Sequence, residues 1–285
     1  MMGHLGLVVG TVLLATGLRY LYQPLRPATA LSFFLIPPLL LVMTAVAIVV
    51  MGPHGHMVNW WEGWLCYGLA WGFIVALSWT LIGLFRETHR AQQQAQRHPS
   101  QLMDDAGPSV VAHVIASEAV FSAQVGLWQP TLVMSQGLLN HLSTAHRQAV
   151  LTHEAAHVHY RDTFWFFWLA GLRRLTRWLP YSDTLWQELL LLRELRADSW
   201  ATQFVARLVL AEALVEAIAA PMTADSCAAL SCAVPSRLSR RIDALLDEDV
   251  TAPAPLGTSL LQWTPLRWTE LSFSLAPLLT IPFHH

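Results

Sequence analysis

His153-Glu154-Ala155-Ala156-His157 sets two imidazoles four positions apart around an acid, and a second acidic pair at the same spacing, Glu194 and Asp198, follows later in the chain. On a helix with 3.6 residues per turn, His153 and His157 lie one turn apart on one face, so both rings can meet one metal ion. Glu154 then points to the neighbouring side of the ion, where its carboxylate can take a proton from water without being a ligand. A hydrolytic zinc site keeps three protein ligands and one open position, and lowers the pKa of water there to about 7. Glu194 is the candidate third ligand. Asp198, one turn beyond it, is the candidate outer carboxylate that fixes the tautomer of a ligating histidine. Together these residues predict Zn2+ as cofactor and peptide hydrolysis as the chemistry, with His153, His157 and Glu194 on the metal and Glu154 as catalytic base.

The other polar residues near the motif are less specific. His159, two positions beyond His157, points away from the ligand face and reads as a surface histidine. Arg161-Asp162 ends the motif helix by local pairing. Arg193, Arg196 and His159 are near enough in sequence to donate to an oxyanion, and the sequence does not choose among them. His54 and His56 flank Gly55 in a loop and read as solvated, and His284 and His285 close the chain.

The motif must be carried by definite elements. Ser143 is a plausible N-cap for a helix over 144–160, its hydroxyl accepting from a first-turn N–H. Glu194 falls in a helical run over 188–205. Segments 110–116, 119–126 and 131–135 are rich in small and β-branched residues and read as short strands. Val133 and its neighbours are the candidate edge strand against which an extended substrate would pair, or an ordinary core strand. Residues 163–179 combine aromatics with Arg173, Arg174 and Arg177, which suits an amphipathic helix in a membrane interface better than a span, with a buried soluble helix as the alternative. Further helices are expected over 204–220, stopped by Pro221, and over 237–246, before a proline-rich break at 252–255.

At 285 residues, with 13% charged residues and a mean hydropathy of +0.41, the chain is unlike a soluble globule and reads as a membrane protein. Apolar stretches over 5–22, 31–51 and 64–85 approach the ~20 residues needed to cross a bilayer. All 17 basic residues are arginine. Arg19 and Arg26 are assigned to the first connection and Arg86, Arg90 and Arg97 follow the third stretch, so the positive-inside rule puts everything after Phe85 in the cytoplasm. Trp60, Trp61 and Trp64 fit an aromatic belt on the opposite side. The 3 cysteines, Cys66, Cys227 and Cys232, make no disulfide framework, and a net charge of −2 gives no reason to expect nucleic acid as a partner.

The expected fold is therefore a mainly α membrane protein, with N-terminal transmembrane helices plus a cytoplasmic α+β zincin-like metallopeptidase domain with a small sheet. Its expected divisions are a three-helix membrane domain over 1–90, a polar linker over 91–108, the peptidase domain over 109–250, and an apolar proline-containing tail over 251–285 that is a candidate fourth membrane segment.

Over residues 126–200 the chain resembles the BlaR/MecR-type integral-membrane zinc peptidases, which are gluzincin-like. The resemblance is carried by Gly126-Leu127-Trp128-Gln129-Pro130-Thr131-Leu132-Val133-Met134-Ser135, by Val150-Leu151-Thr152-His153-Glu154-Ala155-Ala156-His157, by Arg161-Asp162, and by Arg193-Glu194 with Ala197-Asp198. It implies zinc on His153, His157 and Glu194, Glu154 as general base, an inner (plasma) membrane location with the peptidase domain in the cytoplasm, and a protein substrate such as a transcriptional repressor. The chain stops at His285, where those proteins continue into a penicillin-binding sensor domain, so antibiotic sensing by this polypeptide alone is not expected. HtpX-like membrane quality-control proteases share the His-Glu-x-x-His and Glu-x-x-Ala-Asp arrangement and are the nearest enzyme alternative. A non-proteolytic zinc-containing receptor or scaffold is the alternative from another class, and Glu154 weighs against it, because a structural zinc site needs no base. The expected partners are a protein substrate, the lipid bilayer, a second copy as a candidate homodimer, and no nucleic acid.

Overall fold

The structure is a computed structural model and describes residues 3–22, 29–54, 60–103, 110–219, 235–247 and 271–283. Pro221, Cys227, Cys232, His56, His284, His285, the turn at 104–108 and the break at 252–255 lie outside those residues. The chain divides into two compact units. One comprises Met1–Leu84, Trp168–Leu189 and Ser259–His285, the other Phe85–Phe167 and Leu190–Thr258.

The first unit is helical. It contains α1 (His4–Tyr20), α2 (Ala30–Met51), the first part of α3 (Trp60–Gln96) and an apolar 3-10 helix (Phe273–Phe283). Thr11 on α1 and Thr44 on α2 share a buried hydrogen bond of 3.0 Å, so each hydroxyl finds a partner in an otherwise apolar contact. Ala45, Ile48, Cys66 and Ala70 form the core between α2 and α3. By length and composition, α2 and α3 can each cross a bilayer. At 17 residues α1 rises only about 25 Å, short of the ~30 Å hydrocarbon core, which leaves two of the three expected spans at full length. Trp60, Trp64, Leu69, Trp71, Val75 and Trp79 leave α3 with an exposed apolar surface.

The second unit holds the motif. A four-stranded sheet is built from β1 (Ser100–Met103), β2 (Val110–Ile115), β3 (Ser122–Val125) and β4 (Thr131–Ser135), in the order β1-β2-β4-β3. β2 and β4 run parallel, and the two outer pairs are antiparallel. In β2, buried Ala112 and Val114 alternate with more exposed Val111 and His113, the period-two signature of a strand with one face on a core. The polar run expected as a linker is instead helical to Gln96 and extended again from Ser100, where it supplies β1. Backbone pairing with β2 decides this, and composition does not report it.

The remaining described helices are α4 (Gln136–His141), α5 (Thr144–His159), α6 (Asp162–Leu175), α7 (Ser182–Ala201), α8 (Arg207–Ala219) and α9 (Pro235–Leu246), with the later part of α6 and the first part of α7 belonging to the first unit. Ser143 caps α5 as expected, its hydroxyl accepting from the His146 N–H at 3.2 Å. α5 has two apolar sides. Val150 and Leu151 pack on the sheet core of Ala112, Val114, Leu132, Met134 and Leu138, while Ala149 joins Ala201, Leu210, Ala213 and Leu245 of α7, α8 and α9. His146 adds a polar tie, with Glu216 and Glu212 of α8 on its two ring nitrogens. The helix that carries the motif is thereby held on both sides.

Two glycines have steric reasons to be glycine. Gly126, in the β3–β4 turn, has φ +125°, which L side chains rarely adopt, and packs against the Gln92 amide. Gly137, at the start of α4, donates its N–H to the Ser117 carbonyl at 2.8 Å, and a Cβ there would stand 2.0 Å from the Glu118 carbonyl oxygen. That neighbour is backbone and cannot rotate away. Gly137→Ala is expected to lower unfolding stability by about 2 kcal/mol or more, read as a fall in Tm. An unchanged melt would show that this approach is not a constraint.

Candidate metal centre

α5 and α7 bring the motif together. His153 and His157 share a face of α5, as four-residue spacing requires, and α7 presents Glu194 to the same point. The His153 and His157 Nε2 atoms are 3.2 Å apart, and Glu194 Oε2 is 3.3 Å from the first and 3.9 Å from the second. All three side chains are nearly buried. The helix expected over 188–205 begins earlier, at Ser182, and ends at Ala201, with Glu194 inside it in either case.

The outer contacts fix which nitrogens face inward. His157 Nδ1 donates to Asp162 Oδ2 at 2.7 Å, and because an ionised carboxylate only accepts, the proton sits on Nδ1 and Nε2 keeps its lone pair. Asp198 Oδ1 lies 2.8 Å from His153 Nδ1 but off the N–H direction, so that contact is an ion-pair approach rather than an aligned hydrogen bond. Asp162, expected to end the motif helix by local pairing, instead holds His157 and forms a buried ion pair with Arg196. The turn that allows this is at Arg161, whose φ of +53° reverses the chain after α5 and brings the first residue of α6 back over His157. An acid five positions after the second histidine is a weak signal that only this reversal makes useful.

Guanidinium groups hold the acids in place. Arg193 donates to Glu194 Oε1 through Nε at 2.9 Å and Nη2 at 2.6 Å. Arg241 of α9 forks onto Asp198 at 2.7 and 2.8 Å and places Nη1 3.4 Å from Glu194 Oε2. Burial by itself would raise the Glu194 carboxyl, but Arg193, His153, His157 and Arg241 outweigh it and hold it well below the usual carboxylate range. Asp198 is held down in the same way against burial, chiefly by Arg241 and then His153. For His153 burial acts downward, yet Asp198 and Glu194 prevail and raise the imidazole to about 9. A proton on that ring occupies electrostatically the place of a cation. The sequence carried no sign of Arg241, which reaches the site only because α9 packs on α8.

Glu154 is buried beside this cluster, its Oε1 accepting from the Ser122 hydroxyl at 2.7 Å and its Oε2 without a partner. It lines a cavity of about 420 Å³ together with His153, His157, Glu194, Arg193 and Arg241. Of the oxyanion candidates, only Arg193 lines that cavity. Arg196 is buried against Asp162 and the Tyr160 ring, and His159 stacks on Trp200. Of the two readings of Val133, the inner strand holds: β4 lies between β2 and β3, and among the described residues β3, like β1, has no strand beyond it, so its outer side is an open edge. The Phe121 carbonyl accepts from the Ser135 N–H, so strand alternation turns the backbone groups of Ser122 and Gln124 to that open edge. Strand order depends on non-local pairing, which the local pattern cannot give.

The three inner atoms suit a metal. Ligands bound at about 2.0–2.1 Å in a tetrahedron stand about 3.3 Å from one another, close to the spacing of the two Nε2 atoms and Oε2. Facing lone pairs at 3.2 Å repel unless a cation or a proton lies between them. His153, His157 and Glu194 form the one three-residue cluster of this kind among the described residues. If Asp162 sets the His157 tautomer, Asp162→Asn should weaken Zn2+ binding about 10–100-fold, measured by competition with a chromophoric chelator. Wild-type affinity in that variant would remove Asp162 from the site.

Comparison with known proteins agrees with this geometry. The family model for peptidase family M48 matches residues 86–249, which include β1 to β4, the motif on α5, Glu194 and Asp198 on α7, and Arg241. No curated protein and no solved structure gives a significant match to the chain. The family match covers more than half of the sequence and contains the whole candidate centre, so the chain belongs to peptidase family M48, a metallopeptidase family.

Proposed function

We propose that this protein is a membrane-embedded zinc-dependent endopeptidase that cleaves a protein substrate at the cytoplasmic face. The observation that carries the reading is the convergence of the His153, His157 and Glu194 donor atoms beside a buried Glu154 with an unpaired carboxylate oxygen. His153, His157 and Glu194 would hold the zinc, with Asp162 orienting the His157 ring, Asp198 pairing electrostatically with His153, and Arg193 and Arg241 holding Glu194 and Asp198. Zinc bound there supplies an acidified water and polarises the carbonyl of the scissile peptide.

Glu154 takes the proton from the attacking water and delivers it to the amide nitrogen as the C–N bond breaks and the new C–O bond forms, so one carboxylate serves both halves of the reaction. β3 offers the outward backbone groups of Ser122 and Gln124 to an extended substrate chain, which would lie over Glu154 as an added antiparallel strand. Arg193, the one sequence candidate that lines the cavity, is the cation proposed to stabilise developing negative charge.

The membrane part of the reading rests on two helices of spanning length, on the exposed tryptophans of α3, and on arginines that follow the apolar stretches. The likeness to BlaR/MecR-type proteins over 126–200 favours a regulatory role, with a transcriptional repressor as substrate. Quality control of membrane proteins is the second reading, favoured by the Glu-x-x-Ala-Asp pattern of Glu194 and Asp198.

Glu154→Gln is the direct test, because Gln keeps the shape of the side chain but cannot accept the proton. The variant is expected to keep one zinc per chain and to lose at least ~100-fold in cleavage of a labelled protein substrate. Cleavage at the wild-type rate would refute the base assignment. Full zinc loading with no cleavage by the wild type would favour a scaffold.

A further inference from the structure

Ser122 is a polar residue on the open edge of the sheet, and nothing in the sequence marks it. Its hydroxyl donates to Glu154 Oε1 at 2.7 Å, while the other carboxylate oxygen of Glu154 has no partner. A carboxylate free to rotate about its last torsion would present either oxygen to the reaction. With Oε1 bonded by a charge-assisted hydrogen bond, the group is held in one orientation and Oε2 is the atom left to accept a proton. The bond also joins two parts of the fold, since Ser122 belongs to β3 and Glu154 to α5.

The placement of Ser122 in β3 matters as much as its hydroxyl. β3 is one of the two outer strands, with no strand beyond it among the described residues, and the Ser122 backbone faces that edge while its side chain reaches the acid. At the far end of the strand, the turn that follows it is gripped by α3. Gln92 donates to the Gln129 carbonyl at 2.8 Å, and its amide packs on Gly126. The strand is therefore fixed at its turn, and its opposite end carries the hydroxyl that orients Glu154.

Building on the peptidase reading above, we infer that Ser122 is a positioning residue for peptide cleavage: its hydroxyl orients the Glu154 carboxylate, so that a substrate pairing with β3 docks on the same strand that aligns the base. Ser122 does not touch the reacting atoms and is not a metal ligand. Its removal changes how often Glu154 is correctly oriented, and leaves the ligand set of His153, His157 and Glu194 intact.

The test compares wild type, Ser122→Ala and Ser122→Thr as zinc-loaded full-length protein in detergent, with a fluorogenic peptide as substrate. Ser122→Ala is expected to lower kcat about tenfold, with KM within about twofold of wild type and zinc content unchanged, and Ser122→Thr, which keeps the hydroxyl, to recover most of the rate. Wild-type kcat in Ser122→Ala would overturn the inference. So would loss of zinc in that variant, or a Thr variant no better than Ala, since either points to a merely structural residue. If the wild type itself cuts no peptide, the peptidase reading fails separately, and infrared difference spectra then decide the Ser122 contact. Removal of the hydroxyl should shift a carboxylate stretch, and the shift should vanish in a Glu154→Gln background. Absence of that shift would overturn the contact.

Discussion

Two imidazole lone pairs and a carboxylate oxygen meet within 3.9 Å of one another in a nearly buried pocket, and the arrangement of the second unit follows from what that meeting requires. Such atoms repel, and burial strengthens the repulsion, because the low local dielectric removes the screening that water provides. A divalent cation reverses the sign of every one of these contacts. The cluster is a cation site by electrostatics as well as by residue type.

Holding it requires opposite charges just outside it. Asp162 pairs with Arg196, Asp198 with Arg241, and Glu194 with Arg193, so each of these three acids has its own guanidinium, while Glu154 is held by the Ser122 hydroxyl. These pairs carry an energetic asymmetry. A buried pair adds little net stability over apolar packing, yet removal of one member strands the other charge at a cost of about 3–5 kcal/mol. Their value is geometric. Arginine suits the task because its planar fork bonds a carboxylate at two points and restricts its rotation. The bidentate grip of Arg241 on Asp198 ties α9 to α7, and the pair of Arg196 with Asp162 ties α7 to the start of α6. The helices are joined through the site.

What the sequence disclosed was local. His153 and His157, Glu154, Glu194 and Asp198 were legible because helical periodicity converts spacing directly into a shared face, and Ser143 because a cap is a one-turn interaction. The residues it concealed act across the fold. Asp162 needs the left-handed turn at Arg161, Arg241 needs the packing of α9 on α8, and Ser122 needs β3 to be the edge strand. The sheet illustrates the limit. The three segments read as strands are strands, with the middle one shorter than expected, but placing β4 between β2 and β3 is a non-local choice that alternation along each strand cannot encode. Composition misled once, in the glutamine-rich run, where helix and strand formation by polar residues is decided by their neighbours.

Membership of peptidase family M48 and the geometry of the centre point to the same chemistry, one from residues 86–249 as a pattern and the other from a handful of distances. The most direct measurement is X-ray absorption at the zinc edge of the zinc-loaded protein. A first shell of only nitrogen and oxygen at about 2.0–2.1 Å, with the multiple scattering of two imidazoles, is the predicted spectrum. A sulfur shell near 2.3 Å, or scattering from fewer than two imidazoles, would contradict the assignment of His153, His157 and Glu194 as the ligands.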